Sequence, residues 1–242
     1  MSKGADFKAY EKKIDEEGLV WEMKEDFAKA LEAYDRLLRE VDAFSSSGVK
    51  DAIVAYLLLR KGGILLQTAK LSEGERLMRE ALALAERSRN NLMIGRAKLG
   101  LGVLCGSLGR FEEGERLLTE GFLLFSKSDD YDSKQGAGWS LLNLGGMYSK
   151  QGEWSEAERN LDKAIEMLIG IKNWVGVASA YELRAKNSLR SGESARAKAA
   201  FASAVEFYEK QGMKEKAESV KEELRKTRKE HTQEARAFPR GS

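Results

Sequence analysis

Glycines spaced along one segment are the first feature of this sequence that could support chemistry. Gly100, Gly102 and Gly106 follow the spacing G-x-G-x-x-x-G. A dinucleotide-binding loop has the spacing G-x-G-x-x-G between a strand and a helix, because its backbone must approach a pyrophosphate. The spacing here is longer, and no predicted strand precedes it. We therefore predict no cofactor site and interpret these residues as glycines that allow close helix packing.

Three aspartates in the middle of the chain could supply oxygen ligands for calcium. Asp129, Asp130 and Asp132 are closely spaced, but the required glycine and closing glutamate of a calcium-binding loop are absent. We predict instead a polar loop in which an aspartate caps the helix that contains Gly136.

The chain has a single cysteine, Cys105, and a single histidine, His231. An intrachain disulfide and a Cys/His zinc site are therefore both excluded. Cys105 lies in an apolar stretch and is expected to be a buried small side chain, whereas His231 lies in a charged tail and is expected to be solvated. No carboxylate stands in an apolar setting that would raise its pKa. We predict a protein that is not an enzyme and has no catalytic residues, metal or cofactor.

The charge balance also restricts the function. Lys and Arg number 41 and Asp and Glu number 39, so the net charge is only +2. No block of like charges indicates binding to nucleic acid or to a membrane surface. No signal peptide and no run of about 18 apolar residues is visible, so we expect a cytoplasmic protein. Residues 239–242 resemble the remnant of a cleaved purification tag and are left out of the fold prediction.

Small residues recur at a regular interval along the chain. One set is separated by 44, 40, 43 and 40 residues and comprises Ala30, Gly74, Gly114, Ala157 and Ala197. Twelve residues before each member stands another small residue: Gly18, Gly62, Gly102, Gly145 and Ala185. Four residues after each member stands a large apolar residue: Tyr34, Met78, Leu118, Leu161 and Phe201. This pattern, with helical periodicity throughout, predicts repeated helical hairpins.

The hairpin has a physical explanation. Small residues let the two helix backbones approach closely, and the large residues fill the seam between them. In the last three repeats a glycine between the helices, Gly109, Gly152 or Gly192, is expected to end the first helix in a left-handed conformation. Because one hairpin cannot bury its apolar face, the hairpins must stack.

The repeat resembles the tetratricopeptide repeat. Leu144-Gly145, Tyr148, Ala157 and Ala164 match that family's pattern directly. The interval of 40 to 44 residues and the absence of the usual proline resemble the long-helix variant of the family. The resemblance implies an all-α, right-handed superhelical α-solenoid of about five helical hairpins that binds another protein.

The repeats define the expected domain organisation. Residues 1–212 are predicted to form the solenoid, with repeats near 10–44, 54–88, 94–128, 137–171 and 177–211. Met213, Ala217, Val220 and Leu224 fall at helical spacing, so residues 213–236 are predicted to form a charged capping helix. Residues 237–242 are predicted to be a flexible tail or tag remnant.

A binding surface is predicted from the same register. In the family, the first helices of the repeats line a concave groove. With about 100° per residue, offsets of −6, −2, +1 and +5 from the small residue of each first helix form one stripe. This stripe has six basic residues, Lys12, Arg60, Arg96, Lys150, Lys186 and Arg190, and one acidic residue, Glu16. We predict a groove for an acidic segment, lined by Tyr56, Arg60, Gln67, Arg96, Trp139, Asn143, Lys150, Lys186 and Arg190.

Other functions stay open from the sequence alone. The main alternative to a scaffold or adaptor is a regulatory sensor that binds a small ligand or a signalling peptide. An RNA-binding repeat would need regular base-reading pairs, which the sequence lacks. The chain could be a monomer or a homodimer.

Overall fold

The computed structural model describes residues 7–45 and 47–237, with side chains described as far as residue 226. The predicted remnant at 239–242 and the side chain of His231 lie outside these described parts. A π-helical turn, Asp15–Leu19, interrupts the first helical segment. The α-helices of the described residues are α1 (Phe7–Ile14), α2 (Val20–Glu22), α3 (Phe27–Asp42), α4 (Gly48–Gln67), α5 (Leu71–Ser88), α6 (Asn91–Ser107), α7 (Phe111–Phe125), α8 (Tyr131–Gln151), α9 (Trp154–Gly170), α10 (Trp174–Arg190), α11 (Ser194–Lys210) and α12 (Lys214–Ala237).

The chain forms two compact units, Met1–Lys127 (unit 1) and Ser128–Ser242 (unit 2). In unit 1, α4 pairs with α5 and α6 with α7, while α1 packs against α4. In unit 2, α8 pairs with α9 and α10 with α11, and α12 packs against α11. The predicted all-α architecture of helical hairpins is confirmed. None of the described helices has the length and apolar character needed to cross a membrane.

The hairpin seams follow the predicted register. In four repeats a Cβ atom built on the small residue of the first helix would lie within 2.8 Å of the side chain 16 residues later. The pairs are Gly18 and Tyr34, Gly62 and Met78, Gly102 and Leu118, and Gly145 and Leu161. These large side chains are at most 2% exposed, so each stabilises its seam by roughly 1.5–3 kcal/mol. The predicted close approach of the helices therefore has a specific contact in each of these four seams.

The turns inside the hairpins have the predicted left-handed conformation. Gly109, Gly152 and Gly192 have φ values of 75°, 81° and 84°. At the equivalent position of the first two repeats, Glu25 and Ala69 have φ values of 57° and 60°. The backbone at all five turns is thus left-handed. In two of the turns a residue with a side chain adopts this conformation, which favours glycine.

Two residue groups that could have supported chemistry have structural roles. Asp130 caps α8: its Oδ1 accepts a hydrogen bond from the Ser133 amide at 2.9 Å. Hydrogen bonds from the Ser128 hydroxyl and from Ser133 lower the pKa of Asp130 to about 2. Cys105 is fully buried, and burial raises the pKa of its thiol to about 11. The predictions of a capped polar loop and of a buried cysteine are both confirmed.

Candidate partner-binding surface

The predicted binding residues divide between the two units. We name the unit 1 group the first stripe: Tyr56, Arg60 and Gln67 on α4, and Arg96 on α6. We name the unit 2 group the second stripe: Trp139, Asn143 and Lys150 on α8, and Lys186 and Arg190 on α10.

Arg60 of the first stripe is bound by a carboxylate of the same unit. Its Nε and Nη2 atoms donate to Oε1 and Oε2 of Glu22 at 3.1 and 2.6 Å. The Tyr34 hydroxyl donates to Oε1 of the same carboxylate at 2.5 Å. Burial would lower the pKa of Arg60, but the charge of Glu22 outweighs it and raises that pKa. The guanidinium is therefore engaged by the two-pronged pairing that a partner carboxylate would otherwise make.

Tyr56 and Arg96 form a second network beside this pair. The Arg96 guanidinium lies 5.0 Å from the centre of the Tyr56 ring and donates to Glu11 Oε1 at 2.5 Å. The Tyr56 hydroxyl donates to Asp15 Oδ1 at 3.1 Å. Tyr56 is only 8% exposed, and burial raises its pKa to about 12. Gln67, at the end of α4, is exposed. Most of the first stripe is thus in contact with its own unit.

The carboxylates of these networks were missed by the sequence analysis. Glu11 and Asp15 each stand one residue before a predicted stripe position, Lys12 and Glu16. Lys12 and Glu16 are themselves highly exposed, with 76% and 64% of their side-chain surfaces accessible. The four-residue spacing of Glu11 and Asp15 on one helix face was the available signal.

Helices α8 and α10, which carry the second stripe, contact each other. A Cβ atom on Gly146 would lie 3.3 Å from Cδ1 of Leu183. Further along, Nη1 of Arg190 donates to the hydroxyl of Ser149 at 3.1 Å. Ser149 directly precedes Lys150 in the sequence, so Arg190 contacts α8 one residue away from the predicted Lys150 position. Both cationic residues are exposed.

Lys186 of the second stripe contacts acidic groups. Its Nζ donates to Glu182 Oε1 at 2.6 Å and lies 3.6 Å from Glu223 Oε2. Lys216 Nζ lies 3.2 Å from Oε2 of Glu182. The Tyr208 hydroxyl donates a hydrogen bond to the same oxygen at 3.2 Å. Burial would raise the pKa of Glu182, but the two lysines outweigh burial and hold the pKa below its usual value. This cluster ties α10 to α11 and α12.

Trp139 and Asn143 occupy the other end of the second stripe. The Asn143 amide donates to the Trp139 carbonyl of the same helix at 2.8 Å. Both side chains are partly exposed. They are therefore accessible to a ligand in unit 2, although Asn143 Nδ2 is already engaged within α8.

Comparison with known proteins identifies the repeats that carry the second stripe. Residues 136–210, which include α9, α10, α11 and most of α8, match the family model for the tetratricopeptide repeat. These residues are tetratricopeptide repeats. The family resemblance predicted from the sequence is confirmed. All five second-stripe residues lie inside the matched range.

Solved structures share the fold over most of the chain. BtubC (BKLC) from P. vanneervenii has a TM-score of 0.64 and 14% identity, with 85% of this chain and 82% of that chain covered. The apo form of RapI has a TM-score of 0.64 and 14% identity, with 95% of this chain and 88% of that chain covered. At this identity the likeness establishes the fold alone. No curated protein matches the sequence.

Proposed function

We propose that this protein is a non-enzymatic adaptor that binds an acidic peptide or helix of a partner protein through the second stripe. Tetratricopeptide repeats in residues 136–210 support a protein-interaction module as the general class of function. The repeat family is generally non-catalytic.

One observation carries the choice of the second stripe. Arg190 donates to the Ser149 hydroxyl, which is uncharged, so its guanidinium keeps its charge for a partner carboxylate. Arg60 of the first stripe, by contrast, is bound by both oxygens of Glu22. Removing a paired guanidinium from its own carboxylate costs free energy that a partner would have to supply. An acidic segment therefore meets a lower cost at Arg190.

The remaining second-stripe residues complete a mixed binding surface. Trp139 supplies a partly exposed aromatic ring, and aromatic and arginine side chains are the residues that most often dominate protein interfaces. Gly146, which lies between Trp139 and Lys150 on α8, lets the Leu183 side chain of α10 approach α8 closely.

Selection from a display library of random peptides tests this function directly. We expect the immobilised protein to enrich acidic sequences, and the double variant Lys150→Glu/Arg190→Glu to lose at least about tenfold in affinity for them, which is about 1.4 kcal/mol. The matched control is Arg159→Glu/Lys163→Glu, which makes the same charge change on exposed positions of α9. Circular dichroism establishes that both variants fold.

Two results would contradict the proposal. Enrichment without an acidic bias would remove the charge argument. Equal loss of affinity in the α8/α10 variant and the α9 control would show that overall charge, and not the second stripe, governs binding.

A further inference from the structure

An aromatic ring occupies the same register position in both units. Tyr56 stands six residues before Gly62 on α4, and Trp139 stands six residues before Gly145 on α8. The two glycines are equivalent, because each receives the large side chain found 16 residues later. The two rings therefore project from corresponding positions of their first helices.

The first helix of the following repeat carries a different residue at the corresponding position in each unit. Six residues before Gly102, α6 carries Arg96, whose guanidinium lies over the Tyr56 ring at 5.0 Å. Six residues before Ala185, α10 carries Ser179. The Ser179 hydroxyl donates to the Val175 carbonyl at 3.1 Å and lies 3.0 Å from the Tyr208 hydroxyl. A serine is too short to cover a ring on the neighbouring helix and is already bonded elsewhere.

Trp139 is consequently the more accessible of the two rings. It is partly exposed, whereas Tyr56 is buried. Among the described residues, Trp139 has no ring contact with a cation or another aromatic side chain, and its indole N–H is not a buried unsatisfied group. Unit 2 thus has an accessible aromatic ring at the position where unit 1 has a ring covered by its own arginine.

We propose that the Trp139 ring binds an arginine side chain of the partner, placed as Arg96 is placed on Tyr56. The inference deepens the proposed function and rests on it. Tryptophan gives the strongest cation–π attraction among the aromatic side chains, and arginine is its most frequent partner in proteins. The occupant is therefore a partner segment that carries both an arginine and acidic residues.

The dimensions of α8 set the spacing in that segment. Eleven residues separate Trp139 from Lys150, which corresponds to about 16 Å along the helix. This exceeds the Debye length of about 8 Å at physiological salt, so Lys150 repels a guanidinium at Trp139 only weakly. An extended peptide spans the same distance in about five residues. The preferred ligand has an arginine about five residues from its acidic group.

Two labelled peptides test the arginine. The first carries an arginine five residues from a pair of glutamates, and its twin carries neutral citrulline, which has nearly the same shape. We expect the full-length protein to bind the arginine peptide about two- to fivefold more tightly, as for an exposed cation–π pair. Trp139→Leu should remove this preference. The control Trp174→Leu, which alters a ring stacked on Phe207 in the same unit, should retain it.

A second measurement tests arginine binding at Trp139 independently of the acidic end of the peptide. Titration of N-acetylarginine amide should shift the indole N–H resonance of Trp139, identified by its loss in Trp139→Leu, and the citrulline analogue should not. If both peptides bind equally, the acidic-segment function stands and the arginine inference fails. If neither peptide binds, the second-stripe function fails, and the indole titration alone supports or overturns the arginine site.

Discussion

The stripes of the two units are built on equivalent helices, yet their arginines contact different groups. In unit 1, Arg60 and Arg96 are held by Glu22 and Glu11, whose side chains are both only 12% exposed. In unit 2, Arg190 contacts a serine hydroxyl. The same hairpin skeleton therefore supports a stripe whose arginines are paired with carboxylates and a stripe whose exposed arginine contacts a neutral group.

The net charge of a surface depends on the neighbours of its charged residues as well as on those residues. Counted along the stripe positions alone, Arg60 and Arg96 add two positive charges to a predicted groove. Their carboxylate partners stand just outside those positions and cancel that charge locally. Partly buried pairs of this kind hold a unit in one arrangement, whereas exposed cations contribute little to stability and stay available for binding.

Breaking one ion pair in each unit gives the largest expected contrast. Glu22→Gln leaves Arg60, with 26% of its side chain exposed, without its paired charge. We expect the free energy of unfolding to fall by about 2–3 kcal/mol, somewhat less than for a fully buried pair. Lys186→Gln should cost about 1 kcal/mol or less, since Lys216 and Tyr208 still bind Glu182.

Urea denaturation followed by circular dichroism measures both effects. The control Glu16→Gln removes an exposed carboxylate from the same helical segment as Glu22 and should change stability little. Equal losses for Glu22→Gln and Lys186→Gln would remove the contrast between the units.

The hairpin seams are a feature that both units share, and substitution of the glycine in each seam tests it. An alanine Cβ at Gly145 would lie 2.7 Å from Leu161 Cγ and 3.1 Å from the Ala157 carbonyl. At Gly62 it would lie 2.8 Å from Cγ of Met78. Overpacking costs typically 1–3 kcal/mol, and methionine adapts more easily than leucine. We expect Gly145→Ala to destabilise the protein by about 2 kcal/mol and Gly62→Ala by about 1 kcal/mol.

Thermal unfolding of the two glycine variants and the parent chain checks this order. A larger loss for Gly62→Ala would mean that the adaptability of the facing side chain does not control the seam. No loss in either variant would contradict the close approach itself.

The hairpin fold could be predicted from the sequence because its signal is repeated. The interval between Gly102 and Leu118 recurs between Gly145 and Leu161, so each seam supports the interpretation of the others. The left-handed turn at Gly152 could be predicted for the same reason.

The contacts of the binding stripe could not be predicted in the same way. They depend on single side chains such as Glu22, which occurs at no fixed place in the repeat. The π-helical turn Asp15–Leu19 adds to this difficulty, because it changes the helical register between Glu11 and Glu22. Periodicity in the sequence determines the helix faces but does not determine which charged side chains pair across them.

The turns allow the smallest and most specific test of the shared skeleton. Ala69 in unit 1 and Gly152 in unit 2 occupy equivalent turns, with φ values of 60° and 81°. A side chain in this conformation costs roughly 1–2 kcal/mol, and glycine avoids that cost but loses more entropy on folding. We therefore expect Ala69→Gly to stabilise the protein by about 0.5–1 kcal/mol and Gly152→Ala to destabilise it by about 1 kcal/mol.

Opposite shifts in the urea midpoint would show that both units impose the same backbone conformation on the turn, whatever residue stands there. The matched control is Ala199→Gly, at an exposed position within α11, where glycine should destabilise the helix by roughly 1 kcal/mol. If Ala69→Gly destabilises the protein as Ala199→Gly does, the left-handed turn of unit 1 is not strained. The equivalence of the two units would then hold for the helix seams and fail at the turns.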